Sequence, residues 1–187
     1  MKANFSENTE IAKIFREIEG KFGKLDILIN TVGIEEGARD QLDAQGWLRT
    51  FQVNLFGAVE CARHAIKLMD KGVIINISSV AANSGVVIES SLAYSVSNAA
   101  LQKFSENLAQ MLSPKIRVVS LSPGYTMTPI WDIFSDKEKK EALKGVPIGR
   151  FINPSEIAEF ALEVVKNEAI TGVNLTIDGG LKLKSVV

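Results

Sequence analysis

Four short apolar runs without polar alternation constrain this chain more than any other feature. They are Leu25–Val32 (LDILINTV), Val73–Ser78 (VIINIS), Ile116–Leu121 (IRVVSL) and Val173–Ile177 (VNLTI). A strand with one wet face alternates polar and apolar residues. A run that does not alternate is buried on both faces, as in a parallel sheet. Helical spacing fills the intervals. Ile11, Ile14, Phe15, Ile18 and Phe22 recur every three or four residues, and Gly23 stands where that helix would end. Trp47, Phe51, Leu55, Val59, Ala62, Ile66 and Met69 make one long stripe, and Leu101, Phe104, Leu108 and Met111 make another. Asn153-Pro154-Ser155-Glu156 supplies a cap, a first-turn proline and a capping-box glutamate ahead of Ile157, Phe160, Ala161 and Val164. Strands alternating with helices predict an α/β fold, a doubly wound parallel sheet with right-handed crossovers.

The 187 residues suffice for one domain, 1–187, with a sizeable core. The longest irregular region, 126–149, follows a strand's C-terminal end, where a substrate lid would sit. It carries Trp131, Ile133 and Phe134, then SDKEKKEALK, which reads as a short solvated helix. The net charge of −1 argues against a nucleic-acid surface. No apolar run spans a bilayer and no signal-peptide pattern opens the chain. The single cysteine, Cys61, reads as a small buried hydrophobe and excludes an internal disulfide. The single histidine, His64, reads as a helix-surface residue and excludes a multi-histidine metal site. The expectation is a cytoplasmic protein with no nucleic-acid or membrane partner.

Seven phrases stand in order: LDILINTVG (25–33), VNLFG (53–57), IINISS (74–79), AYSVSNAAL (93–101), LSPGYTMTP (121–129), GRF-x-x-P-x-EIA (149–158) and ITG-x-x-L-x-IDGG (170–180). Together they resemble the short-chain dehydrogenase/reductase family from its third strand to its C-terminus. The resemblance implies a Rossmann-like sheet, NAD or NADP as cofactor, and interconversion of a hydroxyl and a carbonyl on a small molecule. It places catalytic roles on Asn54, Ser79, Tyr94 and position 98. The phenol gives the proton, the serine orients the substrate oxygen, and the asparagine anchors a water. Cofactor contacts fall on Asn4 and Phe5 beside the adenine, and on Asn30, Val32 and Gly33 along the adenosine. Pro123, Gly124, Thr126 and Thr128 fall near the nicotinamide carboxamide. The stripes Trp47–Met69 and Leu101–Met111 match the helices through which the family pairs, so a homodimer or homotetramer is expected.

Two departures qualify this. Position 98 is Asn98, where the family has a lysine that lowers the phenol's pKa and grips the nicotinamide ribose. Tyr94 and Asn98 share a helix face, but an amide brings no positive charge. The family's Thr-Gly-x-x-x-Gly-x-Gly turn, which binds pyrophosphate at a helix N-terminus, does not occur in these residues. The fold is therefore expected to be truncated in its N-terminal half, with Asn4-Phe5 at the tail of a strand and Leu25–Val32 as an unpaired edge. The alternative function is a catalytically impaired family member, acting as an oligomerisation partner or arising as a degenerate or mis-started gene product.

Overall fold

A computed structural model describes residues 3–35, 40–83 and 92–183. Its sheet has four parallel strands in the order β1-β2-β3-β4: β1 (Ile27–Asn30), β2 (Gly72–Ile77), β3 (Ile116–Pro123) and β4 (Asn174–Ile177). All four predicted apolar runs are strands; β1 starts two residues later than its run and β3 reaches two residues further, to Pro123. The helices are α1 (Asn8–Phe22), α2 (Ala44–Phe51), α3 (Gly57–Ala65), α4 (Leu92–Leu112), α5 (Asp136–Leu143) and α6 (Pro154–Lys166).

Helices cover both faces of the sheet. On one face Ile11 and Phe15 of α1, Cys61 and Ala65 of α3, and Leu108 of α4 pack on Ile74 and Val118. On the other, Ala161 and Val164 of α6 pack on Val73, Ile75, Val119 and Leu121. Arg117 ties this layer together. Its guanidinium donates to the carbonyls of Val164, Val165 and Ile170, at 3.0, 2.9 and 2.8 Å. Those carbonyls lie at and beyond the last turn of α6, where no helical donor remains. Among the described residues no strand pairs with the outer edge of β1. Ile27 and Ile29 lie on the α6 side and remain 41% and 42% exposed. No described helix is long and apolar enough to cross a membrane.

Local signals worked where the chemistry is local. Gly23 ends α1 at φ 70°, and its N–H donates to the Glu19 carbonyl. Asn153 and Glu156 form the capping box of α6 behind Pro154. The charged run forms the exposed helix α5, capped by Ser135 with Glu138 in return.

Three expectations need correction. The stripe Trp47–Met69 is not one helix. A π-helical turn, Gln52–Phe56, separates α2 from α3 and rotates the inward face. The buried line becomes Thr50, Asn54, Gly57, Cys61 and Ala65, while Leu48 and Phe56 are exposed. His64 is half-buried rather than on the surface. Its ring stacks on Phe15 with centroids 5.5 Å apart, and Nε2 lies 3.0 Å from Glu60. Asn4-Phe5 is not a strand tail. The Asn4 carbonyl accepts from Glu7 N–H, its side chain accepts from Ser6, and Phe5 packs into the core under α1 and α3. Cys61 is buried as expected, and burial, with Glu60 beside it, pushes its thiol up to about 11.

Candidate active site

All the predicted site residues except Asn4 and Phe5 lie at or just beyond the C-terminal ends of the strands or on the elements beside them, the usual ligand crevice of an open parallel sheet. Asn30 ends β1, Ser79 stands two residues beyond β2, and Pro123 ends β3. Tyr94 and Asn98 lie on the first turns of α4, and Asn54 lies in the π-helical turn.

Asn54 is buried and fully used. Its Oδ1 accepts from Ile34 N–H at 2.8 Å, and its Nδ2 donates to the Ile34 carbonyl at 3.0 Å. The same Nδ2 donates to Ser97 Oγ at 3.1 Å. Ser97 Oγ donates to the Tyr94 carbonyl at 2.9 Å. One amide thus holds the loop after β1 and, through Ser97, the turn that carries Tyr94. The π-helical turn makes this possible, because the extra residue swings position 54 into the protein. Gly33 lies against the same amide: a Cβ there would sit 3.5 Å from Asn54 Oδ1.

Ser79 has extended backbone and caps the short 3-10 turn Val80–Ala82, its Oγ accepting from Ala81 N–H at 3.2 Å. That leaves its hydroxyl proton for another acceptor. The neighbour it acts on is Tyr94. Burial pushes its phenol above the ordinary tyrosine value, and the Glu35 carboxylate adds to this. Hydrogen bonds from Ser79 and Asn98 pull the other way without reversing it. Asn98 Nδ2 also donates to the Tyr94 carbonyl, at 3.0 Å, so this amide serves the tyrosine's own helical turn. Asn98 is buried, so a cation placed there would work in a dry setting.

The remaining predicted contacts divide. Asn30 Nδ2 donates to Asn76 Oδ1 at 2.8 Å and so faces into the protein. Val32 is exposed at the mouth of the crevice. Gly124 is a backbone crossing: a Cβ there would meet Asp178 Cα at 2.7 Å and its carbonyl oxygen at 2.9 Å. Pro123 pairs with Ile177. Thr126 Oγ1 donates to the Gly124 carbonyl at 3.0 Å, and the Thr128 carbonyl accepts from Trp131 N–H at 3.0 Å at the start of the turn Pro129–Ile133. Asn4 and Phe5 lie apart from the hydroxyl pair, at the foot of α1. Between them and the site runs a cleft of about 390 Å³ lined by Ser6, Glu7, Ile34, Leu48, Arg49, Gln52 and Val53. In the segment after β3, Trp131 packs against Tyr125, Phe134 and Phe151 at centroid distances of 5.3, 5.2 and 4.6 Å.

Known proteins share this fold. The family model described as enoyl-(acyl carrier protein) reductase matches residues 1–182. The chain belongs to the short-chain dehydrogenase/reductase family. It is 32% identical to carbonyl reductase family member 4 of Xenopus laevis over 191 residues, covering 98% of this chain and 78% of the relative. It superposes on a short-chain dehydrogenase/reductase mutant of Serratia marcescens with a TM-score of 0.89 at 28% identity, covering 97% of this chain and 76% of that one. It also superposes on RhlG of Pseudomonas aeruginosa, solved as an NADP active-site complex, with a TM-score of 0.91 at 26% identity and the same coverages, 97% and 76%. The doubly wound fold of the family is therefore that of this chain. Ser97, Ile34 and Glu35 were not singled out in the sequence. A serine three residues after a motif tyrosine, on the inward side of a helix, was the available signal for Ser97.

Proposed function

We propose that this chain is a short-chain dehydrogenase/reductase-type oxidoreductase whose residues favour carbonyl reduction, with Ser79 and Tyr94 as the acting hydroxyls. The observation that carries the reading is the raised phenol of Tyr94 beside the Ser79 hydroxyl at the strand ends. A phenol above its ordinary value keeps its proton at neutral pH. It can donate that proton to a developing alkoxide, and it is a poor base for taking one from an alcohol. Ser79, with its Oγ already accepting from Ala81, offers its proton to the substrate oxygen and orients it. Asn54 keeps the Ile34 loop and the Tyr94 turn in register.

A nicotinamide dinucleotide would supply the hydride. The residues fit one end of it. Gly33 and Thr126 follow the ends of β1 and β3, Ser79 follows β2, and the cleft by Ser6 and Ile34 is large enough for an adenosine fragment. The pyrophosphate end has no match among the described residues: none of the six helices is preceded by a glycine-rich turn. The second reading, an impaired member acting as an assembly partner, rests on that observation and on Asn98.

The test is titration with NADH and NADPH, followed by turnover on a panel of neutral carbonyls. The apolar lid of Trp131, Ile133 and Phe134 favours apolar substrates in that panel. Weak cofactor binding is expected. Turnover should lie about 10²–10⁴-fold below that of a lysine-bearing relative, the usual worth of effective acid–base catalysis. Saturable low-micromolar binding with robust turnover would remove the impaired reading. Cofactor-free inertness with normal assembly would favour it.

A further inference from the structure

Ser79 and Tyr94 belong to different elements, so their spacing depends on how the end of β2 is fixed to α4. The residue beside Ser79 makes that connection. Ser78 is buried, and its hydroxyl donates to the Asn98 carbonyl at 3.1 Å. The same oxygen accepts from Gln102 Nε2 at 3.2 Å. A hydroxyl has one proton and an amide nitrogen has two. Gln102 fills an acceptor site on Ser78, which leaves the serine proton aimed at Asn98. The second Gln102 proton goes to Ser122 Oγ at 2.9 Å, and Ser122 donates to Asn174 Oδ1 at 2.8 Å. Gln102 and Asn98 both belong to α4, so the helix holds Ser78 at two points, and Gln102 is itself anchored on β3 and β4.

We propose that Ser78, oriented by Gln102, is a positioning residue that fixes the Ser79 hydroxyl against the Tyr94 phenol. It touches neither substrate nor cofactor; it acts by tying the strand end of Ser79 to the helical turn of Tyr94. The inference rests on the proposed pairing of Ser79 with Tyr94.

The chain has two tyrosines, Tyr94 and Tyr125, so ring-labelled tyrosine gives two NMR titrations, assigned with Tyr125→Phe. Ser79→Ala removes the hydroxyl that pulls the Tyr94 phenol down, and its ionisation should move to higher pH. Ser78→Ala should move it the same way, by about half a pH unit to one, the worth of one neutral hydrogen bond. Tyr125 should not move. Ser78→Thr should restore the native value, and Gln102→Met should reproduce the rise. Glu35, the charged group acting on Tyr94, is the same in every variant. A fall in stability with Tyr94 unmoved would make Ser78 merely structural and overturn the proposal. If Ser79→Ala itself leaves Tyr94 unmoved, the hydroxyl pairing fails instead. If Ser78→Ala does not fold, Gln102→Met decides by the same titration.

Discussion

Asn98 and Tyr94 share one helical turn, and what the residue at position 98 donates to the tyrosine sets the chemistry available at the strand ends. The amide satisfies the Tyr94 carbonyl and weakly favours the phenolate, but burial and Glu35 prevail. A lysine at position 98 would bring a positive charge within a few ångströms, which lowers a neighbouring acid by about 1–3 pH units. Asn98→Lys should therefore lower the ionisation of Tyr94, read by the same NMR titration, and thereby make the phenol a better base. The cost is a buried ammonium, so the denaturation midpoint should fall as well. Turnover should stay low in this variant. Holding reactants in position can contribute ~7–11 kcal/mol, against roughly 3–6 kcal/mol for acid–base catalysis, and none of the described residues supplies a glycine-rich grip on the pyrophosphate. Adding a family glycine-rich strand–turn–helix ahead of residue 1 together with Asn98→Lys should give turnover that neither change gives alone. An NAD(P)H oxidation assay on the three variants checks it, and turnover by Asn98→Lys alone would count against this ranking.

Between elements, close backbone approach and helix capping carry the stability that the site depends on. Gly124 lets the end of β3 pass Asp178 after β4, and the added methyl of Gly124→Ala would meet backbone, which cannot swing aside. A loss of about 1–3 kcal/mol in urea unfolding is expected, as for other overpacked positions. The start of α6 behaves differently, because its key group is exposed. Arg150 and the Asn153 N–H hold the Glu156 carboxyl down from 4.5 to about 2. A depressed carboxylate stabilises the fold above its unfolded value and loses that contribution as pH falls through its folded value. The window is therefore pH 4.5 down to about 2. Glu156→Gln should flatten the acid side of the stability–pH curve there, by a small amount, since water and salt screen the pair. Equal slopes for both proteins in acid denaturation would remove this assignment.

Part of the molecule's exposed apolar surface lies on α2 to α4 and on the β1 side of the sheet, and part in the segment after β3, at Met127, Ile130, Ile133 and Phe134. Leu48, Phe56, Leu92, Val96 and Met111 are all exposed on those helices. The expected pairing through the stripes Trp47–Met69 and Leu101–Met111 would bury part of that surface by two-fold symmetry, the commonest route to an oligomer. Light scattering after size exclusion should give a dimer or tetramer, and Val96→Glu should shift it toward monomer. A monomer at micromolar concentration for the unmodified chain would refute the assembly.

The order of apolar runs, helical stripes, caps and seven short phrases was enough to read the doubly wound fold, the family, and the positions of Ser79, Tyr94 and Asn98. These signals are local: a buried strand, a capped helix and a motif turn are each written within a dozen residues. The π-helical turn at Asn54 was not legible, because apolar spacing tolerates one extra residue and the partners that reward it lie elsewhere. Asn54 meets Ile34 and Ser97; Ser78 meets Asn98 and Gln102; Gln102 meets Ser122. His64 and Phe5 likewise took their places from neighbours on other elements. A buried polar atom must find a partner wherever the fold brings one. The sequence therefore determined which residues reach the strand ends, and the tertiary structure alone decided which hydrogen bonds hold them there.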